Sequence, residues 1–160
     1  MTTGPTADTF DDWVRPHLTT LHRYAARQVG PADADDVLQE ALVRAWRRRS
    51  TYDAGRGDAL PWLLAIVRDR ARRHRTRQRP HLELADASEP SVAPVVVDLD
   101  LERAVRALPE RQREAVDLYY FVGLDVATVA AAMACAPGTV RATLHQARAA
   151  LRTLIGDDDD

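Results

Sequence analysis

The chain has no lysine and a single cysteine, Cys135, among its 160 residues. One cysteine excludes an internal disulfide and any cluster of cysteine ligands to a metal. Aromatic residues make up only 6%, and β-branched residues cluster only at Val95–Val97, so little in the chain argues for strands. No apolar run approaches the ~18 residues that span a bilayer, and the polar N-terminus does not resemble a signal peptide. These absences lead us to expect a cytoplasmic protein with no membrane insertion.

Hydrophobic residues make up 46%, enough to bury a core, and Ala, Leu and Arg dominate, which favours helices. Every basic residue is an arginine, and its planar, forked donors suit phosphates and base edges. The net charge of −2 conceals blocks of opposite sign. Residues 60–80 carry seven arginines against Asp69 alone. Residues 81–100 carry Glu83, Asp86, Glu89, Asp98 and Asp100 with no arginine. Asp157, Asp158, Asp159 and Asp160 then follow one another. A basic block implies a polyanionic partner, and the acidic blocks read as connecting segments.

Periodicity divides the chain. Residues 1–9 read as a loose arm. Val14, Leu18, Leu21 and Ala25 repeat at helical spacing over 11–29, after a start signal at Thr9 and Asp12 and before the stop at Gly30-Pro31. A second helix is expected from an N-cap at Asp33 to Arg48, with Val37, Leu38, Ala41, Leu42 and Ala45 inward. A glycine-containing loop, 49–58, leads to a third helix. There Leu60, Leu63, Leu64, Val67 and Ala71 face the core, and Arg68, Arg72, Arg75 and Arg79 form a stripe elsewhere. Pro80, Pro90 and Pro94 and the acidic charge mark 81–97 as a linker. Beyond it are expected a short helix at 98–107, a helix opened by Pro109 and stopped by Gly123, one capped by Asp125 through Met133, and a last helix from Pro137. The apolar seam of that last helix is Val140, Leu144, Ala147, Leu151 and Leu154. The fold class is all-α: a helical domain at 10–80, the linker, a second helical domain at 98–156 and an acidic tail at 157–160.

A short helix built of Ala127, Ala130, Ala131 and Ala132, a turn of small residues (Ala134, Cys135, Ala136) and a longer amphipathic helix describe a helix-turn-helix. The N-terminal face of its second helix presents Thr139, Arg141, Ala142, Thr143, His145 and Gln146. Residues in that place face the major groove, where Arg and Gln can read guanine and adenine edges. A plain helical hairpin with a solvated polar face shares the spacing, so the motif by itself does not fix DNA binding.

Two stretches carry a resemblance. Residues 33–46, DADDVLQEALVRAW, are similar to a helix of conserved region 2 in the extracytoplasmic-function branch of the sigma-70 family. Residues 108–116, LPERQREAV, and 138–151, GTVRATLHQARAAL, are similar to that family's region 4, and WLLAIVR at 62–68 lies between them. The resemblance implies a factor that binds core RNA polymerase and directs it to promoter DNA. It implies that Asp36, Gln39, Glu40 and Arg44 dock on the β′ clamp helices, with further contact to the β subunit. It implies that Tyr52, Arg68, Arg72, Arg73 and Arg75 hold the melted −10 element, and that Thr139, Arg141, Thr143, His145 and Gln146 read the −35 duplex. Trp62 fits a core position better than a stacking one. An anti-sigma factor is a further partner the resemblance admits. Regions 1.1 and 3 of larger sigma factors have no room in this length.

The chain departs from the family in places. Asp69 stands where the family often has Asn, and an acid there needs a partner such as Arg72 or Arg73. Arg73 and Thr76 replace the family's Asp and Arg. Ala142, Thr143 and Gln146 replace the usual Ser, Arg and Arg, which removes two cations from the DNA face. No glycine-rich phosphate loop or metal-ligand cluster is present, and His17, His22, His74, His81 and His145 are scattered, so no enzymatic activity, cofactor or metal is expected. The competing readings are a stand-alone helix-turn-helix regulator and a degenerate sigma-like modulator.

Overall fold

The computed structural model describes residues 9–82 and 98–156. The expected arm, linker and acidic tail, and the Val95–Val97 segment, lie outside those residues.

The first expected helix is broken in two. Helix α1 (Phe10–Val14) passes through a tight 3₁₀ turn, Arg15–His17, into α2 (Leu18–Val29). Pro16 lies inside that turn: it lacks the N–H that a continuous helix would need from it. Val14, Leu21 and Ala25 are buried as the periodicity predicts. Leu18 instead is 36% exposed, because the break shifts the helical phase by part of a turn. Gly30, at φ 87°, takes a conformation that side chains resist and turns the chain at once into α3 (Pro31–Arg47). Gly30 is therefore the N-cap of α3, and Asp33 lies within its first turn, where the helix dipole favours an acid.

Helix α4 (Ala59–Leu82) begins directly after Asp58 and runs past the proline at position 80. Leu63, Leu64, Val67 and Ala71 of α4 pack with Val37, Leu38, Ala41 and Ala45 of α3 and with Leu21, Tyr24 and Ala25 of α2. Each large aliphatic side chain fully buried there contributes about 1.5–3 kcal/mol. At one end the aromatics gather: Trp13 lies 5.0 Å from Tyr52 and 5.8 Å from Trp62, and Phe10 meets Trp46 edge-on at 5.3 Å. Trp62 is thus a packing residue, half-buried against this cluster.

In the second half, Asp98 caps α5 (Leu99–Ala107) by accepting from the amides of Asp100 and Leu101. Pro109 is the N-cap of α6 (Glu110–Val116), which continues into a π-helical turn at Asp117–Phe121. Asp125 caps α7 (Val126–Met133) with a 2.7 Å bond from the Thr128 amide, and that bond holds the Asp125 carboxyl below its usual pKa. Helix α8 (Pro137–Ile155) packs on α5, α6 and α7. Val140, Leu144 and Ala147 are buried, whereas Leu154 is 51% exposed, so the expected seam opens at its last turn.

Between α7 and α8, Ala134 adopts φ 54°, ψ 47°. The Cys135 amide reaches back to the Ala130 carbonyl at 3.0 Å, the bond that closes a left-handed helix cap. A Cβ in that conformation costs about 1–2 kcal/mol, more than the roughly 0.5–1 kcal/mol of chain entropy a glycine would add. Ala134→Gly is therefore expected to raise the melting temperature by about 2–4 °C. A lower melting temperature would show that the Ala134 methyl group packs favourably enough to outweigh its strain.

Candidate promoter and polymerase interfaces

Three surfaces carry the residues singled out by sequence. On α3, Asp36, Gln39 and Glu40 are exposed and Arg44 is half-exposed, next to Val43 at 49% exposure. Their spacing puts them on the side of α3 opposite Val37, Leu38 and Ala41, which face the core. Beyond them Arg44, Arg47 and Arg48 of α3 and Arg70 and Arg77 of α4 line a groove of about 360 Å³ with Glu40 as its one acid. None of these five arginines is ion-paired with a described residue. Sequence reasoning did not single out Arg47, Arg48, Arg70 or Arg77 as a group, because they become neighbours only when α3 and α4 pack.

On α8, Thr139, Arg141, Ala142, His145 and Gln146 are exposed along the first two turns. Thr143 is half-buried, and its hydroxyl donates to the Thr139 carbonyl at 2.8 Å. That satisfied hydroxyl leaves Arg141, His145 and Gln146 as the outward-facing readers. Helix α7 packs behind α8, with Val129, Ala130, Ala132 and Met133 buried, so the exposed face is free to enter a groove.

The third surface, the arginine stripe of α4, is placed differently from the expectation of a solvent-facing row. Arg73 does lie outward, 3.6 Å from Asp69 along the helix, so the acid at 69 has the partner it needs. Arg68, Arg72 and Arg75 face the second half of the chain. The Arg68 guanidinium donates to Glu114 at 2.7 Å and to the Ala132 carbonyl at 3.2 Å. Arg72 pairs with Glu110. Arg75 donates to the carbonyl and the side-chain oxygen of Gln28. Burial lowers the Arg75 pKa, and the charge of Arg113 lowers it further. Burial works against the Arg68 charge too, but the hydrogen bond to Glu114 more than compensates and the pKa rises.

Beside the stripe, Arg27 of α2 spans the same boundary. It donates to Asp117 at 2.7 Å and to Glu102 at 2.6 Å, and its guanidinium lies 3.6 Å above the Phe121 ring. Gln28 donates to the other Asp117 oxygen at 3.1 Å. Burial pushes the Asp117 carboxyl up, against the pull of these donors. Glu114 and Asp117 are buried acids on a helix face otherwise made of Ala115, Val116 and Leu118. An acid recurring among apolar positions is the sequence signal that a cation must come to meet it. Tyr52, finally, is held in the aromatic cluster, and its hydroxyl donates to the Gly57 carbonyl at 2.9 Å. Burial, with Asp58 and Asp53 nearby, raises its pKa.

The two halves match two families: Sigma-70 region 2 over residues 13–81 and Sigma-70 region 4 over residues 98–151. The chain is 35% identical over 143 residues to the ECF RNA polymerase sigma factor SigF of Caulobacter vibrioides, covering 82% of this chain and 76% of that one. It is 34% identical over 154 residues to SigM of Mycobacterium tuberculosis, covering 92% and 77%. The chain belongs to the extracytoplasmic-function sigma factors of the sigma-70 family. This sigma factor also resembles two solved structures. One is the sigma factor RpoE in complex with the anti-sigma factor NepR from Bartonella quintana, at a TM-score of 0.67 and 26% identity, covering 92% of this chain and 99% of that one. The other is CnrH in complex with the cytosolic domain of CnrY, at 0.69 and 25%, covering 97% and 92%. A stand-alone helix-turn-helix regulator would leave the region 2 half without a role. As a sigma factor the protein has core RNA polymerase and promoter DNA as its partners. No helix among the described residues is long and apolar enough to cross a membrane.

Proposed function

We propose that this sigma factor divides promoter recognition among the three surfaces. The exposed face of α3, with Asp36, Gln39, Glu40 and Arg44, docks on the β′ clamp helices. The stripe of α4, Arg68, Arg72, Arg73 and Arg75, with Tyr52 at the preceding loop, holds the separated −10 strand, whose phosphates pair with guanidinium groups. Helix α8 reads the −35 duplex through Thr139, Arg141, Thr143, His145 and Gln146. The observation that carries this division is that α8 presents its N-terminal face outward while the α3 face stays open at the other end of the chain. The protein acts by binding and not as an enzyme, in the cytoplasm, with regions 10–80 and 98–156 as its two working units. An anti-sigma factor is a further partner, a reading supported by the two similar sigma factors solved with theirs.

Run-off transcription with core polymerase tests the proposal. Arg72→Ala is expected to lower open-complex formation by about tenfold, the effect of roughly one lost phosphate contact of about 1–2 kcal/mol, and to leave binding to −35 duplex unchanged. Equal loss at both steps would overturn the assignment of the −10 strand to α4.

A further inference from the structure

The arginines assigned to the −10 strand already have anionic partners within the chain. Arg68 holds Glu114 and Arg72 holds Glu110, and the two acids lie four residues apart on one face of α6. Residues so spaced sit about 5–6 Å apart along a helix, so α6 presents a short row of negative charge to a row of guanidinium groups at the same spacing. A single strand would present its phosphates to the stripe in the same way. Around this contact Arg27 binds Glu102 and Asp117, Gln28 binds Asp117, and α4 packs on α7. The five arginines of the α3–α4 groove, by contrast, have no acid of region 4 upon them.

We propose that the acidic face of region 4, Glu110 and Glu114 flanked by Glu102 and Asp117, is an intramolecular occupant of the α4 arginine stripe that excludes nucleic-acid phosphate until the two regions separate. The proposal rests on the reading of the stripe as a phosphate-binding surface. It makes the chain its own competitor. Anions reach the groove arginines in the closed chain, but Arg68 and Arg72 become available only in the open one. Apparent affinity for a strand is then reduced by the fraction of molecules that are open.

The test uses the full chain and a single-stranded oligothymidylate, which offers phosphate without promoter sequence. Glu110→Gln with Glu114→Gln removes the competing charge and keeps the side-chain shape. The control, Asp12→Asn with Asp100→Asn, removes the same charge from acids whose own pairs, with Arg15 and Arg103, lie elsewhere. The double Gln variant is expected to bind the oligonucleotide about tenfold more tightly, as for a closed fraction near 90%. Its plot of log affinity against log salt should steepen by about 1.4, the increment for two more phosphates on a single strand, and its radius of gyration should rise in small-angle scattering. The control should show none of these. Equal affinity and slope in the double Gln variant and the control would overturn the proposal, as would tighter binding with no steeper slope. Because Glu114 is buried, Glu110→Gln alone is the second variant. Its acid is exposed, so folding is not at risk, and it should show a slope increment of about 0.7. A steeper slope here together with an unaffected open complex in Arg72→Ala would retain the intramolecular occupant and discard the −10 assignment.

Discussion

Arg27→Ala is expected to uncouple the two halves of the molecule, turning one cooperative thermal transition into two. Arg27 is the shared partner of Glu102 and Asp117, with its side chain 18% exposed and that of Asp117 5% exposed. Removing one member of a buried pair costs about 3–5 kcal/mol, because the other charge stays desolvated without compensation. Here the chain has an escape. Region 4 can swing away and return Asp117 to water, so the measured loss is capped by the free energy of opening. The cation–π contact with Phe121 is lost with the same substitution, worth a further 1 kcal/mol or so. Differential scanning calorimetry checks the result: wild type should melt in one transition and the variant in two. One transition at an unchanged temperature would show that apolar packing between α4 and α7 alone holds the halves together.

The second large effect belongs to α3. Glu40→Ala is expected to weaken binding to core polymerase by about 10–100-fold, equivalent to roughly 1.4–2.8 kcal/mol at a charged contact near the centre of an interface. The fold should survive. Glu40 is exposed and makes no buried contact, and alanine is the better helix former. A pull-down with core enzyme, beside a circular dichroism melt, separates the two effects. Unchanged affinity would remove α3 from the docking surface. The substitution also strips the one acid from the arginine groove, so affinity for free polyanions should rise while affinity for polymerase falls. The opposite directions distinguish lost docking from general damage.

The helices were largely legible in the chain because their causes are local. Asp98 and Asp125 cap where capping chemistry places them, and Leu63, Leu64 and Val67, or Val140, Leu144 and Ala147, bury the face their spacing defines. Errors arose where local and longer-range causes compete. Leu18 fits the period of an unbroken helix, but Pro16 resets the phase. Asp33 is a good cap, yet Gly30 turns the chain earlier and leaves Asp33 inside the helix. The outward face of α8 followed from its own pattern. The α4 stripe did not: nothing near Arg68 or Arg72 announces Glu114 or Glu110, which are 46 and 38 residues distant. Two helices with complementary charge were visible separately, and only packing makes them partners. Sequence can say that Glu114 and Asp117 need cations; it cannot say which of 22 arginines will answer.

The π-helical turn at Asp117–Phe121 works as a gear tooth. Its amide-to-carbonyl step, from Val122 back to Asp117 at 2.9 Å, accommodates one residue more than an α-helix would. That extra residue sets the angular phase between everything before it, including Glu110 and Glu114, and everything after it, including the helix that reads DNA. Deleting one residue from the turn would restore a regular helix and rotate its two ends by about 100° relative to each other. The acids could then face the arginines of region 2, or α7 and α8 could keep their seat on α6, but not both. Alternative chains that lose this residue would be differently timed machines built from the same parts.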